Sequence, residues 1–368
     1  MRQLPIGLDI GTTTDRMLQL SGREHDLRVM DAAKFAIPAE ARTDLNRRRE
    51  AVVEGIRRLV KERRFRGREA VAALPAGALA VRNIRMPKMP DEELATAVNW
   101  EAQNKFPFDT ATAVIQYLRA GQVRQGDQVL DEIILFAVPR VEVDAQVRLA
   151  CEAGLDLVSL DAQPCAVFRG FERHLRRRED EAVANIVADI GAQTTVVISC
   201  GREVTFVKTI PIGGAVFNRT VAESLELAPA EAESLRRRTG RRPAATSAEG
   251  ADEDRAGRAV ADAIRPHLED LANEIGLCLR YYTVTFRSVR PDRIAFTGGE
   301  AHDPCIVAGL AERLGLQADV GDPFRGVRTD HLGRVLDRRG VRAEWATAFG
   351  LSLKGFHLAA QFAAGYAA

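Results

Sequence analysis

Apolar runs along this chain of 368 residues come in pairs around short polar tips. Residues 4–8 and 17–20 flank Asp9-Ile10-Gly11-Thr12-Thr13-Thr14, and residues 186–188 and 196–199 flank Asp189-Ile190-Gly191-Ala192-Gln193-Thr194-Thr195. Short apolar runs bounded by Gly and Thr read as strands, so each pair predicts a hairpin. Between the two hairpins the pattern predicts a helix over 47–62 and a strand over 70–74 that ends at Pro75-Ala76-Gly77. A helix over 91–105 follows, with Asp91 and Glu92 favouring its first turn and Pro107 stopping it. Residues 113–120 and 132–138 read as a further hairpin about a turn at 121–128. In the second half, Ala263, Ile264, Leu268, Leu271, Ile275, Leu279 and Tyr282 form one apolar stripe of a helix over 260–282, which reads as a core face. Residues 239–257, rich in Ala, Gly, Arg and Glu around Pro243, read as a mobile loop.

The two tips share a chemistry. Glycine lets the backbone approach an oxyanion closely, and threonine hydroxyls and tip amides donate hydrogen bonds to it. The aspartates supply acceptors for the water shell of a Mg2+ ion. Facing hairpins of this kind make a phosphate clamp. Asp9, Gly11, Thr12, Thr13 and Thr14 form one jaw and Asp189, Gly191, Gln193 and Thr194 the other, with Asp9 and Asp189 holding the metal through water. A third element, Arg293-Ile294-Ala295-Phe296-Thr297-Gly298-Gly299, reads as a strand entering a Gly-Gly turn. Bare backbone at Gly298 and Gly299 would let a flat base or ribose lie against it. The ligand implied is a nucleoside triphosphate with Mg2+.

Composition narrows the function classes. Lys and Arg number 52 against 51 Asp and Glu, leaving a formal charge of +1 and no field to hold nucleic acid or an anionic membrane. Aromatic residues are 6%, with no interleaved pattern for stacking bases. Cys151, Cys165, Cys200, Cys278 and Cys305 are scattered, as reduced thiols would be, and the histidines show no metal spacing. No apolar stretch approaches the roughly 20 residues that cross a bilayer, so a cytoplasmic location without direct membrane insertion is expected.

Hairpin, second hairpin and strand-Gly-Gly in this order resemble the actin-like ATPase superfamily. Closer matches are Trp100-Glu101-Ala102, Pro107-Phe108-Asp109, Pro211-Ile212-Gly213-Gly214, Glu231-Ala232-Glu233-Ser234-Leu235-Arg236, Asp322-Pro323-Phe324 and residues 345–353. These are similar to the PilM family of type IV pilus assembly, itself related to the division protein FtsA. The resemblance implies an α/β actin-like ATPase fold of duplicated ribonuclease H-like domains with an inserted 1C-type subdomain. Its expected divisions are residues 1–82 as the first half of domain 1, 83–157 as the partner-binding insert and 158–185 as the rest of domain 1. Residues 186–345 would form domain 2, and 346–368 a helix returning to domain 1. It also implies ATP and Mg2+ as ligands. Arg16 stands where relatives carry a phosphate-contacting Lys, and its forked guanidinium differs from a point ammonium. Glu233 and Arg236 match a Glu and Lys that lie near ribose and adenine, although a surface ion pair at i,i+3 reads equally well. For hydrolysis, Gln163 and Gln193 are the candidates to position water, so turnover would be slow at most.

Trp100, Phe106 and Phe108 read first as core, because Val98, Ala102 and Phe106 share one helix face. The resemblance implies in addition that the insert receives the cytoplasmic N-terminal peptide of an inner-membrane pilus protein, PilN-like, with self-association possible and association with the membrane only through partners. Two alternatives carry specific requirements. An FtsA-like filament needs a basic amphipathic anchor, yet residues 355–368 contain no Lys or Arg. A small-molecule kinase needs a catalytic carboxylate aimed at a substrate hydroxyl, for which Asp161 is the nearest candidate.

Overall fold

The computed structural model describes residues 2–74, 77–175, 181–240, 250–329 and 342–365. The N-terminal lobe begins with β1 (Gln3–Ile10), β2 (Thr14–Arg23) and β3 (Asp26–Ala36), followed by α1 (Leu45–Glu62) and β4 (Glu69–Ala73). Next comes an inserted unit of β5 (Ala80–Pro87), α2 (Asp91–Ala102), β6 (Ala113–Gln125) and β7 (Gln128–Pro139). The chain re-enters the first lobe as α3 (Arg140–Glu152), β8 (Asp156–Asp161) and α4 (Gln163–Glu172). The second lobe holds β9 (Ala184–Ile190), β10 (Thr194–Cys200), β11 (Glu203–Ile210), α5 (Gly214–Ser224), α6 (Pro229–Thr239), α7 (Gly250–Phe286), β12 (Arg293–Thr297), α8 (Pro304–Leu314) and β13 (Gln317–Val320). Finally, α9 (Ala346–Gly365) returns to the first lobe.

The duplication seen in the tips extends to the sheets. Lobe I has strand order β3-β2-β1-β4-β8 and lobe II has β11-β10-β9-β12-β13. In each, a meander of three antiparallel strands continues through two parallel ones. The inner strands are apolar on both faces because both faces are covered. In lobe I, Leu8, Met17 and Phe35 pack with Val52, Ile56 and Leu149 of α1 and α3. On the other face Leu18, Leu20 and Val29 meet Trp345 and Phe349 at the start of α9. In lobe II the stripe of α7, from Ile264 through Leu271 and Ile275 to Tyr282, is buried on the sheet with Ile198 and Phe217, as its helical spacing predicts.

The insert is the three-stranded sheet β5-β7-β6 with α2 across it. Leu94, Val98 and Ala102 of α2 pack with Ile133 and Leu135, and Phe106 joins them. Trp100 departs from the reading that put it in the core. It is 71% exposed, because its position on α2 lies off the face shared by Leu94, Val98 and Ala102. Helix α3 departs from the expected insert boundary at 157, since Leu149, Ala150 and Ala153 belong to the core of lobe I. The far side of the insert packs on lobe II: Ile134 and Phe136 share a cluster with Val197 and Val207, with Phe168 of α4 wedged among them. Asn83 donates to the Val207 carbonyl at 3.2 Å. The wholly buried carboxylate of Glu132 accepts from Arg85 at 3.1 Å and from the Tyr281 hydroxyl of α7. Of the loop expected over 239–257, residues 241–249 lie outside the described residues, Thr239 closes α6 and Gly250 opens α7.

Helix α9 fits where it does because its glycines permit backbone contact. A methyl group on Gly350 would overlap the Ala166 carbonyl of α4, and one on Gly7 of β1 would overlap the Ala348 carbonyl. Ser352 donates to the Pro5 carbonyl at 2.8 Å and accepts from the Leu20 amide at 3.1 Å, satisfying β1 and β2 where their strand ladder is irregular. Overpacking a contact this close costs roughly 3 kcal/mol or more. Gly350→Val should therefore lower the urea midpoint sharply with the m-value unchanged, whereas Gly276→Val, at a helical glycine with open space around it, should leave the midpoint unchanged or slightly raised, since valine is the better helix former.

Candidate functional site

The first turns of the two lobes face each other across a cleft of about 430 Å³. Lobe I contributes Thr12, Thr13, Thr14, Arg16 and Lys34, and lobe II contributes Gly191, Gly214, Asn218, Arg236, Gly299 and His302. Topology explains the meeting. Each tip joins the central strand of its sheet to its antiparallel neighbour, so duplication places two equivalent turns at corresponding edges. The second tip is held by backbone bonds, from the Gly191 amide to the Gln193 carbonyl at 3.0 Å and from the Gly214 amide to the Gly191 carbonyl at 2.8 Å.

The two expected metal-holding aspartates lie in the strands that lead into the tips, Asp9 in β1 and Asp189 in β9, and neither is among the residues that line the cleft. Burial pushes the Asp9 carboxyl up, against the pull of Arg16 at 3.7 Å. Burial also pushes Asp189 up to about 7, with the Asp9 charge adding to it and Arg16 and Gln163 opposing. The two carboxylates are thus within electrostatic reach of each other, one from each lobe. Gln163 at the start of α4 donates its amide to Asp189 and accepts from Thr195 at 3.1 Å. Gly298, at φ +89°, lies so close to β9 that any side chain would strike the Ile190 carbonyl and the Asp189 carboxylate. Its missing side chain serves Asp189, while Gly299 is open to the cleft with no atom near where a side chain would begin.

Other expected contacts are placed differently. Thr194 is wholly buried and donates its hydroxyl to the Ile212 carbonyl at 2.7 Å, which ties the tip to the segment before α5 and turns the hydroxyl away from the cleft. Arg236 is also buried, forked onto Glu300 at 2.5 and 2.8 Å with its Nε on Asn218 at 2.7 Å. Its donors are fixed within lobe II, although its side chain lines the cleft. Glu233 does not pair with Arg236 but reaches lobe I, where Arg42 lies 2.6 Å from one oxygen, and Arg237 lies 2.6 Å from the other. Arg237 also donates to the Thr13 hydroxyl at 3.2 Å. Asp161 is taken up by Arg169 at 2.7 Å and Lys354 at 3.1 Å, which makes it a structural anchor for α4 and α9 and removes the kinase carboxylate.

Sequence reading missed Lys34, Asn218, Glu300, His302 and Glu344, which come from four separate stretches of the chain, with Glu300 and His302 on one turn, and meet only in the fold. It also missed Asp15. This residue lies beside the first tip with no exposure, and no side chain hydrogen-bonds its carboxylate, which only the Gly11 amide approaches. Burial pushes it up to about 8, with Arg48 opposing and the Asp9 charge adding.

The family model "Type IV pilus assembly protein PilM" matches residues 7–356. The chain belongs to this PilM family. Among solved structures it is similar to a PilM-PilN type IV pilus biogenesis complex, at TM-score 0.76 and 26% identity over 95% of this chain and 98% of that one. The fold is shared with the ethanolamine utilization protein EutJ from Carboxydothermus hydrogenoformans, at TM-score 0.54 and 15% identity over 96% of this chain and 90% of that one. It is shared also with MreB 5 of Spiroplasma citri bound to AMPPNP, at TM-score 0.52 and 12% identity over 99% of both chains. No curated protein matches the chain significantly. This PilM-family chain therefore has the actin-like fold expected of it. Among the described residues, no helix is long and apolar enough to cross a membrane.

Asp15 gives a pH test. A carboxyl whose folded pKa of about 8 exceeds its usual 3.8 keeps its proton in the folded state after the unfolded chain has lost it. Its contribution to stability is then fully present below about pH 4 and declines as pH rises toward 8. Asp15→Asn, which cannot ionise, should melt increasingly above the parent as pH climbs through that window. Parallel melting curves across the window would show that Asp15 is ionised and solvated.

Proposed function

We propose that this PilM-family chain is a nucleotide-dependent adaptor of pilus assembly: it binds ATP with Mg2+ between its lobes and carries a PilN-like inner-membrane protein on its insert. The observation that carries the nucleotide half is the facing pair of tips, each with a carboxylate beneath it. The residues fit such a ligand. Arg16, Lys34 and Arg237 bring positive charge to the Thr12–Thr14 tip, while Gly191, Gly214 and Gly299 leave backbone bare on the opposite wall. Asp9 and Asp189 are both raised by desolvation, with the Asp9 charge acting on Asp189, and they would hold Mg2+ through water.

The partner half rests on family membership and on the likeness to a protein solved together with PilN. The insert has surface to offer. Trp100 stands out from α2, and Phe106 and Phe108 stack at 5.7 Å with Arg82 over Phe106. A short cytoplasmic peptide that orders on docking would bind with micromolar affinity, because ordering offsets part of its contact energy. Hydrolysis in this reading is slow at most. Gln163 is already held by Asp189 and Thr195, so it can orient water only as part of that network. The membrane is reached through the partner, and self-association remains compatible with the adaptor role.

Calorimetry tests the nucleotide half. Asp9→Ala and Asp189→Ala should each weaken MgATP binding by about tenfold or more. Neither should lower the melting temperature, because each removes a carboxylate whose burial is unfavourable. Unchanged MgATP affinity in both variants would refute the clamp.

A further inference from the structure

One carboxylate in the cleft holds the cations that a phosphate would need. Glu344 Oε1 lies 2.6 Å from Lys34 Nζ, and its Oε2 lies 3.4 Å from Arg16 Nη2. His302 Nε2 of lobe II lies 3.6 Å from that second oxygen. All four residues line the same cleft as Thr12, Thr13 and Thr14. Although burial opposes ionisation, His302, Arg16 and Lys34 together hold the Glu344 carboxyl well below the usual carboxylate range. Arg16, Lys34 and His302 thus converge on the Glu344 carboxylate at one end of the cleft.

Its position in the chain matters. Glu344 belongs to a single turn, Ala343–Trp345, directly before α9. The carbonyl of Ala343 accepts from the Thr297 hydroxyl at 2.6 Å and from the Gly298 amide at 3.2 Å, both at the end of β12 in lobe II. The ring of Trp345 is buried in the core of lobe I. Glu344 thus stands at the seam of the lobes, with its backbone tied to one and its side chain reaching cations of the other.

We propose that Lys34 and Arg16 are the cation pair that receives the terminal phosphates of the nucleotide, and that Glu344 occupies this pair as an internal anion while the cleft is empty. The inference rests on the nucleotide-binding reading above. Lys34 is 44% exposed at its side chain and can swing from Glu344 to an incoming phosphate, whereas Arg16, 13% exposed, stays in place and is shared. Nucleotide must then displace a carboxylate before it gains its full contacts. Apparent affinity is the intrinsic affinity multiplied by the fraction of molecules in which Glu344 has withdrawn. Displacement also unloads the seam, so phosphate binding is felt directly at the turn that starts α9.

The test measures binding of MgATP and of tripolyphosphate, which has the phosphates and no base, to the full chain by calorimetry. Glu344→Gln should bind both more tightly, by about threefold to tenfold. Lys34→Ala should weaken both, and adding Glu344→Gln to Lys34→Ala should tighten binding by a smaller factor than Glu344→Gln does in the parent, because only the share of the gain that acts through Arg16 is left. Should Glu344→Gln fail to fold, Glu344→Asp keeps the charge on a shorter arm and should still tighten both ligands. Equal or weaker binding by the folded Glu344 variants, with the parent binding MgATP, would overturn this inference and leave the nucleotide reading intact. Binding of neither ligand by the parent or any variant would overturn both.

Discussion

Two carboxylates that cannot comfortably be ionised together govern this molecule. Asp9 and Asp189 come from duplicated strands, one per lobe, and each is desolvated and raised, with the charge of Asp9 acting on Asp189. In a low-dielectric cleft that repulsion favours either a proton or an intervening cation. The surrounding residues hold the arrangement in place. Gln163 donates to Asp189, Arg16 leans on Asp9, and Gly298 gives up its side chain so that β12 can approach the pair.

The lobes are joined by more than their covalent connections. Across the cleft, Arg42 reaches Glu233 and Arg237 reaches Thr13. Behind it, α4 lies against both sheets, with Phe168 packed beside Val197 while Ala166 meets α9. The insert adds a third contact, since its chain ends enter lobe I while Ile134, Phe136, Asn83 and the Glu132 network are fastened to lobe II. A change in the angle between the lobes must therefore strain or slide one side of the insert. This is a physical path by which a ligand in the cleft and a partner on the insert can bias one another.

The sequence exposed those parts of the fold whose signal is local. Gly11 through Thr14 and Gly191 stood out because a hairpin tip concentrates its chemistry in a few adjacent positions, and the α7 stripe because helical period is visible over many residues. The tip of residue 194 looked equally good, yet Thr194 turned out to bond Ile212, since alternation along β10 aims it inward. Trp100 was drawn into the core by its chemistry and placed outside by the helix face it occupies. Lys34, His302 and Glu344 carried no signal at all. They lie up to 310 positions apart and acquire meaning only when β3, the turn after β12 and the turn before α9 converge. Asp15 stood in plain view beside the tip, but nothing local distinguishes a carboxylate that will be buried without a side-chain partner from one that faces water.

The central claim is that one ligand engages both tips at once. Hydrogen exchange read by mass spectrometry over peptides covering residues 9–16, 189–195 and 297–301, with and without saturating MgATP, addresses it directly. Slowed exchange in all three segments, together and with the same dependence on MgATP concentration, is the result this account predicts. Protection confined to one lobe, or absent from all three while MgATP is bound, would contradict it.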